Sequence, residues 1–378
     1  MSLNKLVKAS IDEFTASFRY GKEQDFNDVD PVKVIEKLVT DTGLDKLGTL
    51  ERAATNLQGY NTSYNLEPFD YPKFSFHSNR PSNGIAVRFT ATSLKTISNQ
   101  IETRELISSL FEAGRTCGLQ PRLTRVDIAI DVLNGETEVY QIEPLLNTKQ
   151  VISKSRVIKG DKVQYCKSTA GISSITNDNV TNTIYVGANK SRTGFLRIYN
   201  KKFEQISKGV QHSNHWKLAN ECQSWVRYEA VFKDEYAHQA GDIISQTTQE
   251  NYIPSLAGCF NKRYNFFDEN NELTLISKDL YEVEKSTNGE LFDFNITSRK
   301  FHQNSKEQVL EQMLGPIFQN QLFKLDQLFP DDLQNMLNQA IEFNRNNFEA
   351  SENVKKTVKR IKKNEEIAKE AQILKNEL

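Results

Sequence analysis

Three stretches of this chain alternate hydrophobic and polar positions most strictly, each with the two-residue period of a half-buried strand. In the first, Val126, Ile128, Ile130 and Val132 form an apolar face, and Arg125, Asp127, Ala129 and Asp131 occupy the other. In the second, Leu196 and Ile198 point one way, while Arg197, Tyr199 and Lys201 line up on the opposite side. In the third, Val226, Tyr228, Ala230 and Phe232 share one side, and Trp225, Arg227, Glu229, Val231 and Lys233 the other. Aspartate is a poor strand former, so its double appearance on one face of an otherwise strong strand asks for more than solvation.

The rest of the pattern surrounds these stretches. Residues 1–58 are polar and mixed and read as an accessory segment. Within them, Asp30-Pro31 followed by Val34, Ile35, Leu38 and Val39 predicts a capped amphipathic helix ending near Gly43. Strand texture begins at Gly59. Residues 73–77 and 85–90 flank a turn-rich segment and predict a hairpin with a longer loop. Leu106, Ile107, Leu110 and Phe111 mark a helix over 102–113 that Gly114 or Gly118 would end. Residues 150–182 read as loops and weak strands, strand character resumes over 183–187, and a polar turn over 188–194 leads to Tyr199.

Asn261-Lys262-Arg263-Tyr264-Asn265-Phe266-Phe267 interleaves cations with aromatics. That composition suits phosphate contact and base stacking, and equally an amphipathic structural segment. Ser305 and Gln308 form a capping-box pattern. The stripes Leu310, Met313, Leu314, Ile317, Phe318 and Leu333, Met336, Leu337, Ala340, Ile341 then predict helices. Lys355, Lys356, Lys359, Arg360, Lys362 and Lys363 belong to a solvated helix or to a contact with a DNA backbone. No internal repeat is visible. The expectation is an α+β fold: a large, mainly antiparallel sheet with one open charged face, helices on the other, and a helical C-terminal region. The expected parts are an accessory segment over 1–58, a catalytic, DNA-binding domain over 59–304 and a helical region over 305–378.

Composition narrows the chemistry. The 378 residues are 38% hydrophobic and 26% charged, with a formal net charge of −1. No overall basic field draws in nucleic acid, so any DNA contact must come from local patches. Cys117, Cys166, Cys222 and Cys259 are scattered without a CxxC pair, and read as reduced cytosolic thiols rather than a disulfide frame or zinc site. The first residues, MSLNKLVKASIDEF, lack an apolar signal region, and no stretch is long enough to span a bilayer. The expectation is a cytoplasmic protein. His212 and His215 enclose Ser213-Asn214 and read as loop residues, not as a metal pair.

If the three strands share one sheet, their polar faces coincide. Asp127, Asp131 and Glu229 then supply hard oxygen ligands of the kind that suit Mg²⁺ or Mn²⁺, and such a metal would polarise a phosphoryl oxygen. Tyr199 lies between Arg197 and Lys201. A phenol has a reference pKa of about 10, and nearby positive charge favours phenolate and attracts phosphate. Tyr199 is therefore expected to attack a DNA phosphodiester and form a phosphotyrosine. Arg125, Lys202, Arg227, Lys262 and Arg263 are candidate DNA contacts. A protein that only bound DNA would use the cations but not the clustered carboxylates, which repel phosphate.

Residues 124–131 (TRVDIAID), then Tyr185-Val186-Gly187 leading to residues 197–204 (RIYNKKFE), then residues 225–229 (WVRYE), resemble the trans-acting rolling-circle replication initiators (Rep_trans) of small Gram-positive plasmids. Order and spacing match as well as the motifs. The resemblance is specific over roughly 120–235, weaker from Gly59 to 120 and only general beyond. It implies that Tyr199 of RIYNKK is the nicking nucleophile and that Asp127, Asp131 and Glu229 belong to the active site. Direct metal ligation by each acid is inferred from strand geometry alone. The resemblance also implies a double-stranded origin with a single-stranded nick site, a homodimer and a host UvrD-type helicase as partner. Relaxases of integrative conjugative elements belong to the same family and make the same cut. The amino-terminal segment does not look like the DNA-binding domain some of them carry, which favours replication.

Overall fold

Two 15-residue strands, β1 (Leu6–Tyr20) and β6 (Leu119–Leu133), lie antiparallel at the centre of the main sheet. The computed structural model describes residues 4–20, 30–159, 162–168, 170–177, 180–188, 191, 193–210, 213–284, 320, 323–324, 326–328 and 332–347. On one side of the central pair run β5 (Ile85–Phe89), β4 (Lys73–Phe76), β3 (Thr62–Glu67) and β2 (Thr49–Arg52); on the other run β12 (Trp225–Lys233), β11 (Gly194–Asn200), β10 (Val180–Val186) and β9 (Ile172–Asn177). The resulting ten-stranded sheet is antiparallel throughout. A three-stranded sheet is built from β7 (Val151–Lys159), β8 (Lys162–Lys167) and β13 (Asn265–Asp268).

The position of β1 corrects the reading of residues 1–58 as an accessory segment. Val7, Ala9 and Ile11 alternate with polar residues, and so do Phe14, Ala16, Phe18 and Tyr20, but the two sets are out of phase. A bulge between Ile11 and Glu13 leaves Asp12 unmatched and restores the phase in space. One extra residue flips every later side chain to the other face, so a period-two pattern across the whole segment is hidden.

The topology repeats although the sequence does not. In each half a long strand (β1 or β6) is followed by a helix, either α1 (Pro31–Asp41) or α4 (Val139–Asn147), and pairs with the last strand of a four-stranded meander, β5 or β12. Each long strand carries one bulge: Asp12 in β1 and Thr124 in β6. Because the halves meet across an antiparallel pair, they are related by a two-fold axis through the sheet, which keeps equivalent residues on the same face.

The apolar face packs under helices. Phe14, Phe18, Ile128, Ile130, Ile198 and Tyr228 share a core with Ile35 and Leu38 of α1 and with Leu106, Ile107, Leu110 and Phe111 of α3 (Thr103–Thr116). Ile142 of α4, Ile244 of α7 (Asp234–Gln246), Leu256 of α8 (Gln249–Arg263) and Leu280 of α9 (Leu275–Glu284) complete it. The predicted hairpin is β4–β5. Asp30 caps α1 through the amide of Val32, and Gly118, in the left-handed region, follows the end of α3.

Residues 261–267 turn out to be structural. Asn261 donates to Glu284 (2.7 Å) at the end of α9, and Glu284 forms an ion pair with Arg156 of β7 with both side chains fully buried. Tyr264, Phe266 and Phe267 are buried, so no aromatic face is left for a base. Lys262 is buried too. Arg263 donates to the Thr193 hydroxyl (3.0 Å) and the Gly194 carbonyl (3.1 Å) and lies over the rings of Tyr236 and Tyr264. Its charge braces the turn into β11 rather than facing a ligand.

The chain divides into two compact units, Met1–Ile296 and Thr297–Leu378. Both sheets belong to the first. In the second, the helix Leu333–Asn347 covers the predicted stripe that begins at Leu333. The Ser305 capping pattern, the stripe at 310–318 and the cations at 355–363 fall outside the described residues. Among the described residues no helix is long and apolar enough to cross a membrane.

Candidate active site

The three alternating stretches are neighbouring strands, in the order β6–β12–β11, and β1 lies on the far side of β6. In one row across the sheet, Tyr199 is in register with Arg227, Arg227 with Asp131, and Asp131 with Lys8. In the next, Arg197 faces Glu229, Glu229 faces Ala129, and Ala129 faces Ser10. Lys201 is not on the strand as expected. Asn200 ends β11 and accepts from the Phe203 amide (2.9 Å), which caps a new helix, α5 (Lys201–Lys208). The helix turn still brings the Lys201 ammonium within 3.4 Å of the Tyr199 hydroxyl.

Tyr199 donates to Oε2 of Glu229 (3.0 Å), and Arg197 pairs with the other oxygen of the same carboxylate. Arg197 and Lys201 each lie 5.4 Å from the Tyr199 ring centroid. Lys201 is also paired with Glu204 at 2.6 Å. The residue is almost wholly buried, and it lines a groove of about 960 Å³ together with Lys8, Lys95, Tyr185 and His215.

The acids are closed by cations instead of sharing one. Asp131 accepts two bonds from Arg227, each 2.7 Å, and a third from the indole of Trp225 (2.7 Å). Arg227 reaches on to Asp12 (2.8 Å), so it clamps three strands and is not a free DNA contact. Asp127 takes a two-pronged bond from Arg125 (2.8 and 2.6 Å). Arg125 also pairs with Glu13 (2.9 Å), which Arg88 shares at 2.8 Å. Lys202 spends its ammonium on the carbonyls of Cys222 (2.7 Å) and Gln223 (3.2 Å), past the end of α6 (Asn214–Glu221). The expected Mg²⁺ or Mn²⁺ site therefore does not fit this arrangement. The oxygens of Asp127, Asp131 and Glu229 already accept strong bonds, and no group of three metal-ligating side chains occurs among the described residues.

The electrostatics also differ from the expectation of a cation-stabilised phenolate. Burial first, and the Glu229 charge next, push the Tyr199 phenol well above its ordinary range, against a lowering pull from Arg227. Each cation near the ring already has a carboxylate partner, so its field at the phenol is largely cancelled. Burial, then Arg227, lowers the pKa of Lys201. Burial also raises Asp127 to about 7, even against its bonds from Arg125.

A family model described as replication initiation factor matches residues 121–337, more than half of the chain. The protein belongs to this family, Rep_trans. No curated protein matches it. A solved structure of a rolling circle replication initiator protein from Geobacillus stearothermophilus is similar, with a TM-score of 0.52 and 19% identity over 74% of this chain and 97% of that one. At that identity the likeness establishes the fold. The Rep_trans match covers β6, β11 and β12 but begins after β1, and Asp12 and Glu13 of β1 are the acids that the sequence reading missed. Their signal was present as alternation on either side of the bulge. Glu204, one turn into α5, was quoted in the motif but given no role. Its carboxyl is held down to about 2: burial opposes this, but the bonds from Lys201 and Lys208 prevail. Tyr185, quoted in the motif, is in register with Arg197 and lines the groove, whereas Tyr228 is in the core. His215 stands edge-on to Trp225, and His212 lies outside the described residues.

Proposed function

We propose that this Rep_trans protein initiates rolling-circle replication by nicking one strand of an origin with Tyr199. The observation that carries the reading is the hydrogen bond from the Tyr199 hydroxyl to Oε2 of Glu229 at 3.0 Å. A buried neutral phenol needs a base at the moment of attack, and a carboxylate at that distance is within proton-transfer reach. In the proposed step Glu229 takes the phenolic proton, and the tyrosine oxygen forms a bond to phosphorus. The bond from phosphorus to the 3′ oxygen breaks, and that oxygen takes a proton from water in the groove. The 5′ end stays on Tyr199 and a 3′-hydroxyl is left for a polymerase.

Arg197 and Lys201 would neutralise the non-bridging oxygens as charge builds on them. The Nε of Arg197 is buried without a hydrogen-bond partner, which suits it to such an acceptor. No step is routed through a metal. The same reading carries over from the family a homodimer and a UvrD-type helicase as partners, both open to cross-linking and pull-down assays.

Tyr199→Phe removes one oxygen and keeps the ring. The variant should bind DNA, keep its unfolding midpoint, and fail to form a covalent adduct with a plasmid carrying its origin. Peptide mass spectrometry of the wild-type adduct checks the assignment. DNA attached to Tyr185, the other tyrosine in the groove, would overturn it.

A further inference from the structure

The main sheet presents its topology twice and its catalytic constellation once. Aligning the halves on their bulges, Asp12 with Thr124, sets Thr15 against Asp127, Ser17 against Ala129 and Arg19 against Asp131. Ala86 pairs with Ser17 as Glu229 pairs with Ala129, so Ala86 takes the place of Glu229. All three active-site acids thus have counterparts that are neutral or cationic. The counterpart position is hollow as well. A pocket of about 360 Å³, on the same face of the sheet as the Tyr199 groove, is lined by Thr15, Ser17, Arg19, Ala86, Arg88 and Tyr60, among others.

The charge balance of this pocket differs from the active site's at one lining cation, since Arg88 and Arg125 are paired with Glu13. Around Tyr199 every guanidinium has a carboxylate partner. Here Arg19 is exposed and makes no ion pair among the described residues. Arg122 is in register with Ser17, one diagonal step from Arg19 on the same face, and it too has no ion pair among the described residues. Its Nε is buried without a hydrogen-bond partner. Burial, and then the charge of Arg19, holds its pKa below the ordinary arginine value. Asp234 and Glu235 offset part of the charge on Arg122, whereas Arg19 has no carboxylate partner among the described residues, and its planar fork matches phosphate oxygens.

We propose that the pocket at Arg19, with Arg122 beside it, is a second DNA-phosphate site, which holds the duplex flanking the cut and cannot cleave it. The assignment rests on the reading that this face receives DNA. It explains why the fold keeps the pocket but not the acids, since a site that only holds phosphate gains from their removal. Lys8 is in register with Asp131, and Arg19 is near the other end of β1. At strand rise Lys8 and Arg19 are therefore about 35 Å apart, close to one duplex turn of about 34 Å. A duplex laid along the β1–β6 pair would turn the same backbone toward both.

Binding of a mixed-sequence DNA duplex, followed by fluorescence anisotropy over a range of salt concentrations, tests this. Each phosphate contact adds about 0.9 to the slope of log affinity against log salt. Arg19→Ala should lower that slope by about 1, and Arg19→Glu should lower affinity further. Arg115→Ala, an exposed arginine on α3, should leave it unchanged. An Arg19→Ala slope equal to that of the wild type overturns the proposal, as does a wild type that binds no duplex. Adduct mapping on Tyr199 is read separately. A lowered slope without any adduct leaves this site standing and removes the nicking reading; an unchanged slope with an adduct on Tyr199 does the reverse.

Discussion

A phenol ringed by cations need not be ionised. Arg197, Lys201 and Arg227 surround Tyr199, but Glu229, Glu204 and Asp131 hold them, and burial decides the protonation state. Asp127 is the other residue whose environment overrides its type. Its carboxyl is raised to about 7 by burial, against about 3.9 in an unfolded chain. Since the folded value is the higher, stability from this group is complete below about pH 4 and is lost as pH rises through about 7. The unfolding midpoint of the wild type should therefore fall more steeply over that window than that of Asp127→Asn. Parallel curves would refute it. Which acids, cations and phenol share a face was legible from period two alone. Which acid holds which cation was not, because that depends on the register between strands far apart in sequence.

At the scale of elements, Arg227 changes meaning. On sequence it is a surface cation beside a metal-binding Asp131, and removing that acid should leave folding intact. In the structure Arg227 comes from β12, is almost fully buried, and is held by Asp131 from β6 and Asp12 from β1. Taking one partner from a buried charge costs about 3–5 kcal/mol. Asp131→Ala should lose about that much in denaturant unfolding, with activity lost through instability. A loss under about 1 kcal/mol would mean that Asp12 and water suffice. The helix at 31–41 was readable because its cap is local, Asp30 to Val32. The switch from strand to helix at Lys201 was missed although its cap, Asn200, is equally local, because the alternation of Arg197, Tyr199 and Lys201 runs across it.

For the whole molecule, the N-terminal segment is central rather than peripheral. Phe14 and Phe18 have no exposed surface, and β1 separates β5 from β6. A chain starting after Tyr20 would expose two strand edges and lose both rings, each worth about 3–5 kcal/mol in a core. It should show no cooperative unfolding transition by circular dichroism; a truncated protein with a sharp transition would refute the central role of β1.

By itself the sequence determined the α+β class, the polar face that gathers Asp127, Asp131, Tyr199, Arg227 and Glu229, and the motif match to Rep_trans. These follow from backbone period and from short segments, which are local properties. Only the tertiary structure decided that the acids are occupied by arginines, that Lys262 and Arg263 belong to the scaffold, and that a second, acid-free pocket mirrors the first. The first and third depend on register across antiparallel pairs, the second on how the end of α8 meets the turn into β11. Two single-residue bulges, at Asp12 and Thr124, set that register, and a bulge becomes visible only when the partner strand lies beside it.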